Sequence, residues 1–204
     1  MPRILLTRHG HVEGISPERF RGRSDLSLTE KGIAQAVALG DRIRGEWRPV
    51  AIYVGPLRRC VATGEAIAAA TGAPCKIIEN LNDIDYGAWQ SQTFEEVRER
   101  WPALFELWQV APHLVRFPQG DSLQDLFART AEALRLAMDH HDDETIVMVG
   151  HDSVNKAILL QLLNQSPSAY WKLVQDPCAL NELELSRSHA RIIRVNDVSH
   201  IKAV

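Results

Sequence analysis

Histidines stand at the ends of two predicted strands. Residues 4–7 form a short apolar run that ends in Arg8-His9, and residues 145–149 form a β-branched and apolar run that ends just before His151. Both runs are typical of buried strands. If the two strands are neighbours in one parallel sheet, both imidazoles lie at the same edge of that sheet, where ligands bind in α/β proteins.

Arginines follow another predicted strand at the same edge. Arg58 and Arg59 come soon after the apolar run 51–54, and His151 begins a predicted helix whose free backbone N–H groups attract anions. Guanidinium groups match the oxygens of a phosphate. A single histidine after a strand is more often structural than catalytic, but this many cationic and imidazole groups are costly to gather without an anion. The sequence therefore predicts a phosphate-binding pocket.

The same residues suggest a phosphoryl-transfer reaction. Neutral imidazole is a nucleophile at neutral pH, so His9 is a candidate to attack phosphorus. The leaving oxygen needs a proton, and Asp83 and Asp85 follow the third predicted strand. An ordinary aspartate has a pKa near 3.9 and is ionised at neutral pH, but burial and the charge of a bound phosphate both raise that pKa. The residues alone do not decide which aspartate is the acid.

Length and composition favour one globular domain that spans residues 1–204. Of the 204 residues, 45% are hydrophobic and 24% charged, which is ordinary for a globular protein. Strand and helix patterns alternate, which predicts an α/β fold with a mostly parallel sheet. The predicted strands are 4–7, 51–54, 75–78, 145–149 and a terminal hairpin of 180–185 with 191–195 around a turn at 186–190. The predicted helices begin at Ser27 or Thr29, at 57, at 93 with a break at Pro102, at 122 and at 154.

Charge and cysteine content argue against several classes of protein. A net charge of −3 gives no support for nucleic-acid binding. Cys60, Cys75 and Cys178 form no CxxC pair and are expected to be reduced thiols. The apolar run at the N-terminus is too short for a signal peptide, and no stretch approaches the roughly 18 apolar residues of a membrane span. We therefore expect a cytoplasmic protein with no membrane partner.

Six ordered segments between residues 4 and about 160 resemble the histidine phosphatase (phosphoglycerate mutase-like) superfamily. They are LLTRHG at 5–10, FRGRSDLSLTEKG at 20–32, PLRRCVAT at 56–63, LNDIDYGAW at 81–89, PQGDS at 118–122 and VGHD at 149–152. The resemblance implies that Arg59, rather than Arg58, binds phosphate and that Asp83 is the general acid. It also implies a three-layer α/β/α fold with helices on both faces of the sheet.

The resemblance further implies a metal-independent phosphomonoester hydrolase without a cofactor. His9 would attack phosphorus and become a phosphohistidine, while Arg8, Arg59 and His151 hold the phosphoryl oxygens. Asp83 would protonate the leaving group and then help water attack the intermediate. The expected partner is a small phosphate ester.

Further positions bear on substrate specificity. Arg21 and Gly22, in the loop after His9, and Ser122, in the PQGDS turn, are candidate substrate-binding residues, and the region around 93–121 is expected to form a lid or subdomain. Ile15 stands where family members commonly have an asparagine that contacts phosphate, and Asp83 stands where many have glutamate. These departures leave the substrate class open.

Alternative functions were weighed against this interpretation. A phosphoglycerate mutase would share the fold and nucleophile, although the compact chain favours hydrolysis. A metal-dependent hydrolase would use the His9-x-His11 pair, and resistance to a chelator would exclude it. A catalytically inactive binding module is disfavoured because the core site residues are present. The terminal hairpin offers an edge through which a homodimer could pair, and the sequence leaves the oligomeric state open.

Overall fold

A six-stranded mixed sheet forms the centre of the protein. The computed structural model describes residues 2–15, 18–186 and 189–201. The strand order is β3-β2-β4-β1-β5-β6. The strands are β1 (Arg3–Arg8), β2 (Ala51–Val54), β3 (Cys75–Ile77), β4 (Thr145–Gly150), β5 (Leu180–Leu185) and β6 (Ala190–Asp197).

The strands β1 to β4 run parallel to one another, while β5 runs in the opposite direction and pairs antiparallel with both β1 and β6. β1 pairs with β4 in parallel, and in this register Arg8 lies opposite Gly150. β2 pairs in parallel with both β4 and β3. β5 runs antiparallel to β1 and forms a hairpin with β6. The mostly parallel sheet and the terminal hairpin were predicted and are confirmed, although residues 187–188 of the hairpin turn lie outside the described residues. The pairing of β1 with β4 meets the condition under which both histidines lie at one sheet edge.

Helices cover both faces of the sheet. They are α1 (Glu30–Glu46), α2 (Arg58–Thr71), α3 (Phe94–Arg100), α4 (Pro102–Val110), α5 (Leu123–His140) and α6 (Asp152–Leu162). Of the two predicted starts for α1, Thr29 is correct, because its side chain accepts a hydrogen bond from the Gly32 N–H and so caps the helix. The predicted break at Pro102 separates α3 from α4.

Side chains of β1 alternate between the two hydrophobic cores. Ile4 and Leu6 pack into the core that contains residues of α5 and α6, while Leu5 packs into the core of α1 and α2. This alternation follows from the two-residue period of a strand, and it confirms the expected three layers. Because its neighbours fill both faces, β1 is buried from Ile4 to Arg8. The strand that ends at the candidate nucleophile is therefore fixed at the centre of the molecule.

Aromatic side chains join the region 93–121 to the larger core. Trp108 on α4 is buried and packs edge-on against Phe117 and Tyr86. Phe105 and Trp89 extend the same cluster. Both Trp108 and the partly buried Trp101 pack on this core. Among the described residues, no helix is long and apolar enough to cross a membrane.

Candidate active site

Two imidazoles meet at the carboxyl edge of the sheet. His9 directly follows β1, and His151 is the N-cap of α6, directly after β4. Their ring centroids lie 5.2 Å apart with an interplanar angle of 64°. Both side chains are buried, with exposed fractions of 2% for His9 and 1% for His151. The prediction that these histidines lie at one sheet edge is confirmed, and its cause is the parallel pairing of β1 with β4.

Arg59 connects the residues of the site. It lies in the first turn of α2 and is completely buried. Its Nε donates to His9 Nε2 at 3.2 Å, and its Nη2 donates to Asp83 Oδ2 at 3.0 Å. The carbonyl oxygens of Gly22 and Ser24 accept two further hydrogen bonds, at 2.7 and 2.6 Å. These contacts hold the guanidinium in one plane beside His9.

Arg58 points away from this cluster. Its side chain is 72% exposed and pairs with Asp25 on the surface, with 3.0 Å between Arg58 Nε and Asp25 Oδ2. Of the two arginines that the strand pattern left open, the structure therefore brings only Arg59 to the histidines.

Hydrogen bonding fixes the tautomer of His9. The Gly10 carbonyl oxygen lies 2.7 Å from His9 Nδ1, and a carbonyl only accepts, so Nδ1 carries the proton. The lone pair is then on Nε2. Burial, reinforced by the charges of Arg59 and Arg8, holds the pKa of His9 well below 6.5. His9 is therefore a neutral imidazole at physiological pH with its nucleophilic nitrogen in the site.

His151 is held neutral in the same way. Burial is the main cause that lowers its pKa to about 3; Asp83 opposes this shift, and Arg59 and Arg8 add to it. Its Nδ1 lies 3.3 Å from both Arg59 Nε and Asp83 Oδ2. Its Nε2 lies 3.3 Å from the Sγ of the buried Cys60.

Asp83 is ionised because its neighbours outweigh its burial. Burial acts to raise the pKa of Asp83, but its neighbours, among them the Arg59 guanidinium and the Ser153 hydroxyl, lower it by more, so the pKa lies below its usual value. Oδ1 accepts from Ser153 Oγ at 2.5 Å and from the Ile84 N–H at 2.9 Å. Burial therefore acts in the expected direction, and the net pKa is nevertheless lowered because the carboxylate is paired with a buried guanidinium.

Asp85 lies outside the cluster. Its Oδ1 accepts from the Gly87 N–H at 2.8 Å, and its Oδ2 is 3.3 Å from Arg23 Nη1. Of the two aspartates left open by the sequence, Asp83 is the one beside the histidines.

The carboxylate of Asp121 anchors the loop that carries Asp83. Asp121 Oδ2 accepts from the Asp85 N–H at 3.1 Å and from Arg23 and Arg129 at 3.2 and 3.3 Å. Arg129 also donates to the carbonyl oxygens of Asn82 and Asp83. Six residues of this loop and its anchors are therefore cross-linked by charge-assisted hydrogen bonds, which fix the position of the Asp83 backbone.

Two adjoining cavities open beside His9. The inner one is small, with a volume of about 40 Å³, and is lined by Arg8, His9, Arg19, Arg21, Gly22, Asp83, Tyr86, Asp152 and Ser153. The outer one measures about 380 Å³ and shares Arg8, Arg19, Arg21, Tyr86 and Asp152 with it. Its further walls include Ile15, Lys156, Tyr170 and Trp171. A volume of this order accommodates a small metabolite.

Arg8 supplies a donor near both cavities. Its Nη1 donates to the Gln175 carbonyl oxygen at 2.5 Å, and its buried Nε has no hydrogen-bond partner within the described part of the chain. A buried donor of this kind is available to an anionic oxygen. The inner cavity thus combines guanidinium groups, a neutral nucleophilic imidazole and a carboxylate.

The candidate specificity residues differ in position. Arg21 and Gly22 line the inner cavity, and Gly22 adopts a φ of +45° that directs its carbonyl to Arg59. Ser122 lines neither cavity; its hydroxyl caps α5 by accepting from the Asp125 N–H and donating to the Asp125 carboxylate. Ser122 therefore caps α5, and its assignment to substrate binding stays a prediction.

The structure separates His11 from His9. His11 Nδ1 lies 2.9 Å from the Thr29 hydroxyl, away from the cavities. Within residues 2–15, 18–186 and 189–201, no group of three or more His, Cys, Asp or Glu side chains is arranged to hold a metal ion.

Sequence reasoning missed Ser153, Asp152 and Lys156. Lys156 Nζ lies 2.9 Å from Asp152 Oδ2 and sits over the rings of Tyr170 and Trp171. The available signal was the position of these residues in the first turns of a helix that begins at the site.

Comparisons with known proteins agree with this geometry. Over residues 4–198 the chain matches the model of the histidine phosphatase superfamily, branch 1. It is 30% identical over 204 residues to a metal-independent phosphoserine phosphatase of Arabidopsis thaliana, which covers 98% of this chain and 84% of the relative. It is 29% identical over 201 residues to phosphoserine phosphatase 1 of Hydrogenobacter thermophilus, covering 98% and 95%.

A solved structure extends the comparison to the fold. The protein superposes on YhfR of Bacillus stearothermophilus with a TM-score of 0.93 at 28% identity, covering 99% of this chain and all of the other. The resemblance found in the sequence motifs is therefore confirmed along nearly the whole chain. The chain belongs to branch 1 of the histidine phosphatase superfamily and is a phosphatase.

Proposed function

We propose that the protein hydrolyses small phosphomonoesters through a phosphohistidine at His9, without a metal ion. The observation that carries this proposal is the state of His9. Its Nδ1 proton is bound to the Gly10 carbonyl, its pKa is held well below 6.5 by burial and by Arg59, and His9 lines the inner cavity with Nε2 as its unprotonated nitrogen. A neutral imidazole with a fixed tautomer attacks phosphorus without an auxiliary base.

Arg8, Arg59 and His151 are proposed to bind the transferred phosphoryl group. Phosphoryl transfer depends mainly on positioning and on neutralising charge at the equatorial oxygens. Two guanidinium groups supply that charge, and the N-terminus of α6 adds backbone N–H groups next to His151. No metal ion is needed for this neutralisation, which agrees with the name of the Arabidopsis relative.

Asp83 is proposed to be the general acid and then the general base. The negative charge of a bound phosphate and the engagement of Arg59 by that phosphate both act to raise the pKa of Asp83 from its lowered value. The protonated carboxyl then supplies the proton that the leaving alkoxide needs. After the alcohol departs, the carboxylate removes a proton from the water that attacks the phosphohistidine.

The outer cavity is proposed to hold the alcohol part of the ester. Arg21 and Gly22 lie between the two cavities, and the walls beyond them are partly aromatic. Phosphoserine is a candidate substrate because two relatives are named for it. Sugar phosphates remain candidates as well. Three further predictions belong to the same proposal. Residues 93–121 form a lid within a single domain, two chains form a homodimer through the exposed edge of β6, and the protein is cytoplasmic. The free thiols of the three cysteines support the cytoplasmic location.

The first experiment measures hydrolysis of p-nitrophenyl phosphate with excess EDTA. Wild type should release nitrophenol at a chelator-independent rate, His9→Ala should be inactive, and His11→Ala, as the matched control, should keep activity. Acid-labile, base-stable labelling after a rapid quench with ³²P-labelled substrate should be lost in His9→Ala alone. Activity that survives in His9→Ala, or that EDTA removes, contradicts the proposal. Wild-type isomerisation of phosphoglycerates without release of phosphate would support the mutase instead.

A further inference from the structure

A serine hydroxyl is hydrogen-bonded to the carboxyl group of Asp83 in the wall of the inner cavity, which both residues line. Ser153 Oγ donates to Asp83 Oδ1 at 2.5 Å, and Ser153 lines the small cavity beside His9. It is 2% exposed and lies in the first turn of α6, two residues after His151. The interaction is thus a short, buried, charge-assisted hydrogen bond rather than a surface contact.

Both oxygens of Asp83 are already bound by donors. Asp83 Oδ2 lies 3.0 Å from Arg59 Nη2, and the positive charge of the guanidinium disfavours a proton on that oxygen. Oδ1 accepts from Ser153 and from the Ile84 N–H. A proton that arrives on the carboxyl group therefore resides on Oδ1, on the side of the Ser153 hydroxyl.

We propose that Ser153 is a catalytic residue that relays the proton of Asp83 to the oxygen of the leaving alcohol. This inference rests on the proposed function, because it assumes that Asp83 is the source of the proton. A hydroxyl is both a donor and an acceptor, so Ser153 Oγ accepts the proton of Asp83 while it donates its own. A methyl group in its place has neither capacity.

The step balances in atoms and charge. His9 Nε2 forms a bond to phosphorus as the bond between phosphorus and the ester oxygen breaks. The departing oxygen takes the hydroxyl proton of Ser153, and Ser153 Oγ takes the proton from Asp83 Oδ1. The products are a neutral alcohol, a phosphohistidine, the Asp83 carboxylate and an unchanged serine. Hydrolysis of the phosphohistidine runs the relay in the opposite direction, from water to Asp83.

The relay explains how an aspartate serves at this position. The sequence resemblance implies a glutamate in many family members, and Asp83 is shorter by one methylene group. We expect the Ser153 hydroxyl to compensate for the shorter acid by extending the proton path from Oδ1, since Ser153, Asp83 and His9 all line the inner cavity.

The test compares an alkyl phosphate with p-nitrophenyl phosphate. O-phosphoserine and glycerol 2-phosphate have poor leaving groups that need a proton, whereas nitrophenolate departs without one. Ser153→Ala should lower kcat/KM for the alkyl esters by about 100-fold, the low end of general acid catalysis, and affect p-nitrophenyl phosphate far less. Ser153→Thr, which keeps the hydroxyl, should restore most of the loss.

Two further variants separate a relay from simple positioning. In Asp83→Glu combined with Ser153→Ala, the longer acid should reach the leaving oxygen directly and recover alkyl phosphate hydrolysis. In mixtures of H₂O and D₂O, kcat/KM for the alkyl ester should follow a curved proton inventory in wild type, because two protons move, and a linear one in the double variant. Ser122→Ala is the matched control, since it also removes a buried serine bound to an aspartate. This variant should change kcat/KM for both types of substrate by the same factor.

Equal slowing of alkyl and nitrophenyl esters by Ser153→Ala would overturn the relay. So would a linear proton inventory in wild type, or a double variant no better than Ser153→Ala. These results are distinct from failure of the proposed function, in which wild type lacks His9-dependent hydrolysis of either ester.

Discussion

The buried imidazole of His151 predicts a specific loss of stability in acid. Burial lowers the folded-state pKa of His151 to about 3, below the value of 6.5 for an unfolded chain. The contribution of His151 to the free energy of unfolding is therefore fully present above its unfolded-state pKa and declines as the pH falls below that value. Between about pH 7.5 and about pH 5 the unfolded chain binds nearly one proton that the folded imidazole refuses, which amounts to about 2 kcal/mol of unfolding free energy. His9 acts in the same direction.

Equilibrium unfolding in urea measures this loss directly. The free energy of unfolding is measured at both pH values for wild type and for His151→Gln. The difference between the pH-dependences of the two proteins gives the contribution of His151. The variant should lose about 2 kcal/mol less than wild type on acidification, whatever its stability at pH 7.5. His140→Gln, at an exposed histidine near the end of α5, should keep the full wild-type dependence.

A pH-dependence shared by wild type and His151→Gln would refute the reasoning. It would mean that His151 takes up a proton in the folded protein near pH 6.5, with Asp83 as its counter-ion. The neutral state assigned to the site would then be wrong.

Three other predictions follow from local geometry. Gly87→Ala should destabilise the fold by on the order of 2 kcal/mol in thermal unfolding, because φ is +52° and a Cβ would lie 2.1 Å from the Pro118 carbonyl oxygen; an unchanged melting temperature contradicts this. Thr29→Ala should lower the free energy of unfolding in urea by about 1 kcal/mol, since the cap on the Gly32 N–H is lost, and Thr29→Ser should not. Trp171→Ala should raise KM about 3- to 10-fold for phosphate esters of aromatic alcohols, and less for phosphoserine, because the ring lines the outer cavity while 42% exposed; equal changes for both substrates argue against that contact.

Local rules account for what the sequence predicted of the fold. The apolar runs that end at His9 and His151 were recognisable as strands, and parallel strands align their carboxyl ends, so the meeting of the two imidazoles followed. The caps at Thr29 and Ser122 follow from side-chain chemistry within a few residues. The separation of Arg59 from Arg58 came from the motif resemblance, since both arginines follow the same strand.

Contacts between distant segments account for what the sequence did not predict. The direction of the Asp83 pKa depends on Arg59 and Ser153, which are 24 and 70 residues away, and burial alone pointed the other way. The carbonyl groups that accept hydrogen bonds from Arg59 belong to the backbone, so the residue types at those positions do not indicate them.

The position of β1 in the sheet has a consequence for synthesis on the ribosome. β1 is synthesised before both of its neighbours, β4 and β5. Asn181 Nδ2 donates to the Leu6 carbonyl, and the Cys178 N–H donates to the Arg8 carbonyl. A nascent chain that has just passed Ser153 holds every proposed catalytic side chain but lacks one side of that strand. Non-local pairing of this kind slows folding and leaves apolar segments exposed meanwhile. We expect chains truncated before β5 to be inactive and to depend on chaperones during translation.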